Sequence, residues 1–373
     1  MHSLLWATIA CKLLYYMQIQ RNYNILFDGG WSPTAVREAI LAARHIVLVA
    51  HMHADGDAVG SLTGMYALLS EVTGTLSDQV TDRPTHSVTI TPLLPDGCPD
   101  DLMWLPNTNA IICGKDDRCK QLIEDADLMI ALDLNSIDRT GILADPLRAS
   151  QAKRMVVDHH IGPDSTSFDI VVSEPEISST CELVYWLMSS TFGSDIFSLE
   201  AATSLFAGMC TDTGTFSYSN TQQSLYLAAA DLLTYGVDPM DINRCIKNVF
   251  TVPRLRFFGH AMAERLTVYI EPQIALMVLT AKEIAEYGVD SADLTGLINE
   301  VMKLRDIDCG ILVREEEGRI RLSFRSKSRY DVNQLAGDLF DGGGHARAAG
   351  ATSLHSLDET VRIIKNTLHL EDR

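Results

Sequence analysis

Four separated stretches of this 373-residue chain place Asp and His side chains where divalent cations could be held, since hard ions take carboxylate oxygens and intermediate ones accept imidazole as well. The richest is His51-Met52-His53-Ala54-Asp55-Gly56-Asp57, in which His51, Asp55 and Asp57 can approach an ion from several directions. Gly56 lets the backbone turn tightly between the two carboxylates. Gly60 and Ser61 follow, early enough in the next helix for a phosphate to come close. Asp133 opens Asp133-Leu134-Asn135-Ser136-Ile137-Asp138-Arg139, where Arg139 suits either a phosphate or a surface ion pair. Asp158-His159-His160 sets an Asp beside two His, and Asp212 lies in Cys210-Thr211-Asp212-Thr213-Gly214. Taken singly, an Asp in such a loop is an ordinary turn or cap residue. Taken together, carboxylates brought to one place repel strongly unless cations sit among them. Two metals about 3.5–4 Å apart would remove that repulsion and stabilise both the attacking and leaving oxygens of an in-line phosphoryl displacement.

The elements that must position these residues read as follows. Ser32 can cap a helix with Pro33 at its first position and good helix formers from Ala35 to Ala43. Continuous apolar runs at 45–50, 127–132 and 154–157 read as buried parallel strands, each followed at once by Asp or His. Strand, polar loop and helix in repetition imply an α/β fold with an N-terminal doubly wound, mainly parallel sheet, whose ligands bind beyond the carboxyl ends of the strands. All four metal-binding stretches are expected at strand ends on one sheet edge. After Gly236 the texture changes. Residues 236–262 read as a connector with a helix. Residues 263–373 read as a smaller C-terminal α/β domain with a mixed sheet, including strands at 273–279, 310–313 and 319–324. Glu315-Glu316-Glu317 is expected at a solvated hairpin tip, and Ser179-Thr180-Cys181-Glu182 as a plain capping box. Phe216 and Tyr218 could stack on a base, although core packing is the commoner role for such aromatics.

Composition narrows the function. Lys plus Arg number 30 against 49 for Asp plus Glu, a formal net charge of −19, so the chain should repel a long duplex nucleic acid. A short anionic substrate held by metals and a few Arg is compatible with that charge. Eight Cys without a Cys-x-x-Cys pair imply free thiols in a reducing compartment rather than a zinc ribbon. The apolar run at 4–11 is too short to span a bilayer and has no basic region before it. Residues 1–31 are therefore expected to be an N-terminal extension, 32–235 the metal-binding domain, and the protein cytoplasmic with no membrane partner.

The His-x-x-x-Asp-x-Asp loop, the isolated Asp133, the Asp158-His159-His160 element and Thr211-Asp212-Thr213-Gly214 together resemble the DHH phosphoesterase superfamily. Asp341-Gly342-Gly343-Gly344-His345-Ala346-Arg347 and Ser323-Phe324-Arg325-Ser326 are similar to the DHH-associated substrate-binding domain of its nano-RNase and pAp-phosphatase branch. The resemblance implies that His51, Asp55 and Asp133 hold one metal, and that Asp57, Asp133, His159 and Asp212 hold the other, with Asp133 bridging. It implies that His160 contacts the scissile phosphate and that Asp158 orients the histidines. Arg325, Ser326, His345 and the amides of Gly342, Gly343 and Gly344 would hold the substrate's other phosphate or its base, with Arg139 near the reacting centre. The metals would be Mn²⁺, which mixed His and carboxylate ligation suits, or alternatively Mg²⁺. The implied activity is hydrolysis of short oligoribonucleotides, dinucleotides and 3′-phosphoadenosine 5′-phosphate (pAp). The alternatives are a cyclic-dinucleotide phosphodiesterase, an inorganic pyrophosphatase, or a non-catalytic nucleotide-binding regulator on the same scaffold. The second domain would close over the first, and a homodimer is expected from the resemblance alone. One departure stands out: the family's Asn or Asp then Pro is replaced by His53-Ala54. His53 is read mainly as a stabiliser of the loop, with contact to a metal or phosphate as the second reading.

Overall fold

The computed structural model describes residues 31–79, 88–217, 220–247, 250–290 and 293–371. The N-terminal extension at 1–30 and Tyr218 therefore lie outside the described residues. The chain divides into two compact units, Met1–Val249 and Phe250–Arg373.

In the first unit the order is α1 (Pro33–Ala42), β1 (His45–Val49), α2 (Gly56–Gln79), β2 (Thr89–Leu94), β3 (Ile112–Cys113), α3 (Arg118–Glu124), β4 (Leu128–Leu132), a 3₁₀ segment (Ile137–Leu143), α4 (Ala144–Ala149), β5 (Lys153–Asp158), β6 (Ile170–Ser173), α5 (Thr180–Phe192), α6 (Leu199–Asp212), α7 (Gln223–Leu233) and α8 (Pro239–Lys247). Ser32 caps α1 by accepting the Ala35 amide, with Pro33 in the first turn. The six strands form one sheet in the order β3-β2-β1-β4-β5-β6, and every pairing is parallel. The apolar runs are continuous because both faces are covered: Ile46 and Leu48 of β1 join one core, Val47 and Val49 the other. The larger core lies under α1, α2, α5, α6 and α7.

Helices α2 and α6 approach at glycine. A Cβ built on Gly60 would lie 2.7 Å from the Ser204 carbonyl, and one on Gly64 2.7 Å from Leu205 Cδ2. Gly60 is thus committed to helix packing. Ser61 is fully buried and donates its hydroxyl to the Ala58 carbonyl. Neither offers itself to a phosphate, contrary to the expectation from their position, because the helix start is pressed against α6 and not open to solvent.

The second unit contains α9 (Val252–Glu264), β7 (Leu266–Tyr269), β8 (Ile274–Leu279), α10 (Ala281–Tyr287), α11 (Leu297–Val301), β9 (Cys309–Glu316), β10 (Arg319–Ser326), α12 (Val332–Phe340), β11 (Gly343–His345), β12 (Ala348–Ser353) and α13 (Leu357–Thr367). Its sheet has the order β11-β12-β10-β9-β8-β7 and is mixed: β8 and β9 are parallel, all other neighbours antiparallel. Ile320, Leu322 and Phe324 point into the core between Arg319, Arg321 and Ser323, the alternation a half-covered strand requires. The hairpin after β9 is less solvated than its three acids suggest. Glu315 accepts the Ala281 amide, and Glu316 pairs with both Arg314 and Arg319. Residues 236–262 take in one helix and most of a second, which ends at Glu264; each is started by a proline-containing turn, and the boundary between the units falls between them. Among the described residues no helix is long and apolar enough to cross a membrane, and the seven described cysteines are free.

Candidate metal centre

The chain leaves β1 toward β2 and β3 on one side and returns at β4 to build β5 and β6 on the other, so the sheet reverses direction between β1 and β4. In open parallel sheets ligands bind at such a reversal of strand order, beyond the strand carboxyl ends. His51 follows β1, Asp133 follows β4, and Asp158-His159-His160 ends β5. Asp212 is different. It is the last residue of helix α6, not a strand end, because 199–212 carries its apolar side chains at helical spacing. Backbone bonds lace the loops together: Met52 N–H donates to Arg139 O at 2.8 Å, Asp133 N–H to Val157 O at 3.1 Å, and Asp164 N–H to Asn135 O at 2.8 Å. Asp133 itself sits at φ 57°, a left-handed conformation that Asp tolerates better than most residues.

Three groups of donor atoms result: His51, Asp55 and Asp133; Asp57, His159 and Asp212; and Asp133, His159 and His160. Within each group the ligand atoms lie within 4.8 Å of one another. His159 Nε2 stands 3.9 Å from Asp57 Oδ2, 3.8 Å from Asp133 Oδ1 and 3.8 Å from Asp212 Oδ2. These separations are too long for hydrogen bonds. They match donors around one ion, because bonds of about 2.1 Å in octahedral geometry set neighbouring donors about 3 Å apart and opposite ones about 4.2 Å. His159 Nδ1 faces the Ile177 carbonyl at 3.4 Å, and His51 Nδ1 donates to Met52 O at 2.9 Å. Both rings therefore turn Nε2 toward the carboxylates, as metal-binding histidines held at Nδ1 do. His51 Nε2 is 3.3 Å from Asp133 Oδ2, so the two oxygens of Asp133 face two different sets of donors.

Burial sharpens the electrostatics. Asp57 and Asp133 are each only 2% exposed. Burial, with the charges of Asp133, Asp212 and Asp55, pushes the Asp57 carboxyl well above its usual range. Burial raises Asp212 to about 6, with His159 opposing and Asp133 and Asp55 adding. Burial would also raise Asp133, but the hydrogen bond from His51 and the charges of His159, His51 and His160 outweigh it and hold that carboxyl low. Asp158 is fully buried. One oxygen accepts from His160 Nδ1 at 2.7 Å and the other has no partner. That bond raises the His160 pKa against the effect of burial. A nest of mutually repelling carboxylates, Asp57 and Asp133 buried, Asp212 half-buried and Asp55 exposed, with imidazole nitrogens turned inward, fits cations of charge two.

The family description "DHH family, N-terminal domain" matches residues 45–209, and "DHHA1 domain" matches residues 272–369. The chain carries a DHH domain followed by a DHHA1 domain. It is 27% identical over 323 residues to the bifunctional oligoribonuclease and PAP phosphatase NrnA of Bacillus subtilis, covering 86% of this chain and 92% of that one. It is 29% identical to the enzyme of the same description from Thermus thermophilus, covering 84% and 85% of the two chains. An exopolyphosphatase-related protein from Bacteroides fragilis, known as a crystal structure, superposes with a TM-score of 0.83 at 29% identity, covering 92% of this chain and 98% of that one.

Other residues of this DHH protein are placed as follows. His53 is not in any of the three donor groups. Its Nδ1 lies 3.0 Å from Asp96 Oδ2, its amide donates to the same oxygen, and its side chain is 83% exposed. Arg139 Nη1 lies 3.4 Å from His160 Nε2 and donates to the Asp133 carbonyl, which places it beside the centre and not in a surface ion pair. Phe216 packs against Phe206 and Tyr226. The capping box at 179–182 is half formed. Ser179 accepts the Glu182 amide, but Glu182 turns its carboxylate to Ser178 and Trp186. The free first-turn amides of α5 go to Asp57: Thr180 N–H to Oδ2 at 2.7 Å and Cys181 N–H to Oδ1 at 2.9 Å. The Thr180 hydroxyl donates to Asp133 Oδ1 at 3.0 Å. Sequence reading missed Thr180 and Cys181 because their contacts are with residues 47 to 124 positions away.

In the DHHA1 region Arg325 is half-buried on β10 and donates Nη1 to its neighbour's carbonyl. The Ser326 hydroxyl is committed, donating to Tyr330 O at 2.6 Å and accepting from Arg347. The glycine run also differs from expectation. Gly342 N–H donates to Ala336 O, and Gly344 N–H to Asn333 Oδ1 at 2.8 Å, so these amides are already used within the fold. Glycine is needed there for space. A Cβ on Gly342 would lie 2.4 Å from the Gly350 carbonyl, and one on Gly344, at φ 149°, 2.5 Å from that of Ala348. His345 pairs with Ala348 in the β11–β12 ladder.

Proposed function

We propose that this chain is a two-metal phosphoesterase acting on short oligoribonucleotides, dinucleotides and pAp. One observation carries the reading: Asp133 turns one oxygen to His51 and the other to His159, with a further carboxylate beside each histidine. His51, Asp55 and Asp133 would hold one ion, and Asp57, Asp133, His159 and Asp212 the other. Mn²⁺ suits the mixed donors, with Mg²⁺ as the alternative. When bound, two such ions supply a nucleophile from water at neutral pH and neutralise charge on the attacking and leaving oxygens. The chain's own groups do the rest. His160, fixed through Nδ1 by the buried Asp158, presents Nε2 to a phosphoryl oxygen, and the Arg139 guanidinium beside it adds a second donor. Arg325 and His345 are proposed to hold the substrate's second phosphate or base. The net charge of −19 favours a substrate of few phosphates over a long polyanion. NrnA relatives matched over nearly their full length support the substrate class.

The test is a panel of pAp, a dinucleotide, a cyclic dinucleotide and pyrophosphate, assayed with Mn²⁺ in wild type, Asp133→Ala and His159→Ala. Turnover of pAp and the dinucleotide should fall in both variants by more than the ~10–100-fold that loss of an outer partner costs. Near-wild-type rates in both variants would defeat the proposal. A wild type that cleaves only pyrophosphate, or binds nucleotides without turnover, would move the assignment to the corresponding rival.

A further inference from the structure

We propose that the first turn of α5 is a working part of the metal centre, and that Thr180 is a positioning residue that fixes how Asp133 divides its oxygens between the two seats. The proposal rests on the two-ion reading above and deepens it. An α-helix leaves its first amides without partners inside the helix. In α5 the Ser179 side chain takes the third amide, that of Glu182, and leaves those of Thr180 and Cys181 free. Both are spent on Asp57, one on each oxygen, so the carboxylate is gripped from behind and its remaining lone pairs face His159 and Asp212. The buried Glu182 carboxylate holds the Ser178 amide and hydroxyl and the Trp186 ring N–H, which sets the pose of the turn.

Thr180 adds a side-chain donor aimed at Asp133, while the neighbouring Cys181 thiol goes to the Asp57 carbonyl. Its hydroxyl is fully buried and donates to Asp133 Oδ1, the oxygen that faces His159 and His160 at 3.8 and 3.7 Å. The final torsion of an Asp side chain is broad and turns easily. With one lone pair of Oδ1 occupied by Thr180, the other is left for the His159 seat, while Oδ2 is left for the His51 seat. A helix start that clamps one ligand by its amides and orients the bridging ligand by its hydroxyl couples both seats to one rigid element.

The experiment is calorimetric titration of Mn²⁺ into the metal-free full chain as wild type, Thr180→Ser, Thr180→Val and Thr180→Ala, with far-ultraviolet circular dichroism to confirm folding. Serine keeps the hydroxyl; valine keeps the shape without it; alanine removes it with the least crowding and serves if the valine variant does not fold. Wild type should take up two ions. The Val and Ala variants should bind one of them about 10–100-fold more weakly, and Ser should stay within about threefold of wild type. Raised Mn²⁺ should restore turnover in the Val and Ala variants, which a packing defect would not allow. Wild type binding fewer than two ions overturns the two-ion reading itself. Two ions bound with equal affinity in wild type, Val and Ala leave that reading standing and overturn the role of Thr180.

Discussion

An alanine at Gly208 would carry a methyl group 2.1 Å from Cys181 Sγ and 3.1 Å from Asp57 Oδ1, in a part of the core where Cys181 has no exposed surface. Ordinary contact between such atoms is about 3.5–4.0 Å, so α6 and the start of α5 would have to part by roughly 1.5 Å. Overpacking of that kind costs about 1–3 kcal/mol, and the severity of the clash argues for the upper end. Alanine returns about 1 kcal/mol through helix propensity, leaving a net loss of about 2 kcal/mol. For a unit of this size that is a fall in Tm of roughly 4–8 °C by calorimetry. Gly74→Ala is the matched control: it lies in α2 with nothing among the described residues within 4 Å of its built Cβ, so propensity should raise stability by about 0.5–1 kcal/mol. The shift at Gly208 also displaces the amides that hold Asp57, so Mn²⁺ affinity should fall with stability, and Cys181→Ala in the same chain should relieve part of both losses. Gly208→Ala melting at or above wild type with unchanged Mn²⁺ affinity would refute the reasoning.

Two further outcomes follow from the site. Asp212 near 6 and Asp57 well above its usual range, both raised first by burial, bind more protons folded than unfolded. His51 and His160 are raised as well: for His51 burial opposes but its bonds and the charges of Asp133 and Asp55 prevail, and for His160 the Asp158 bond leads. Each contributes stability that is lost as pH rises through its folded pKa, while the lowered Asp133 matters only on the acid side. The Tm of metal-free protein in chelator should therefore fall between pH 5 and pH 8, and stabilisation by Mn²⁺ should grow over that range because the ion competes with protons (a window of about 4–6 for Asp212 and above about 6.5 for the histidines). A metal-free Tm that climbs steadily with pH contradicts this. His53, at φ 58° and paired with Asp96, should tolerate Asn with Mn²⁺ affinity within about twofold, whereas Val should cost about 1–2 kcal/mol of backbone strain in a denaturant melt. Loss of an ion in His53→Asn would place that imidazole among the ligands.

The parallel sheet was legible because His45–Val49, Leu128–Leu132 and Lys153–Asp158 are apolar without interruption and then turn abruptly to Asp and His. The convergence of His51, Asp55, Asp57, Asp133, His159 and Asp212 was legible because the residue types have one shared chemistry. What stayed hidden depends on contacts across the chain. The five residues around Asp212 point to a strand end because so short a window does not reveal the helix behind it. Gly60 and Ser61 looked like a phosphate cradle, since nothing local announces that Ser204 and Gly208 fill that space. The amides of Gly342 and Gly344 looked available, but Ala336 and Asn333 take them. The connector reads as holding one helix, although Pro239 and Pro253 each stand in the first turn of one, where proline starts a helix as readily as it breaks one.

The ties between Met52 and Arg139, Asp133 and Val157, and Asp164 and Asn135 are all made by main-chain atoms. Side chains on that rim, among them the exposed Met52, Ile142 and Ile161, carry none of the three. Met52, Ile142 and Ile161 can therefore be exchanged without breaking any of the three ties, so the loops that carry His51, Asp133 and His160 keep their places.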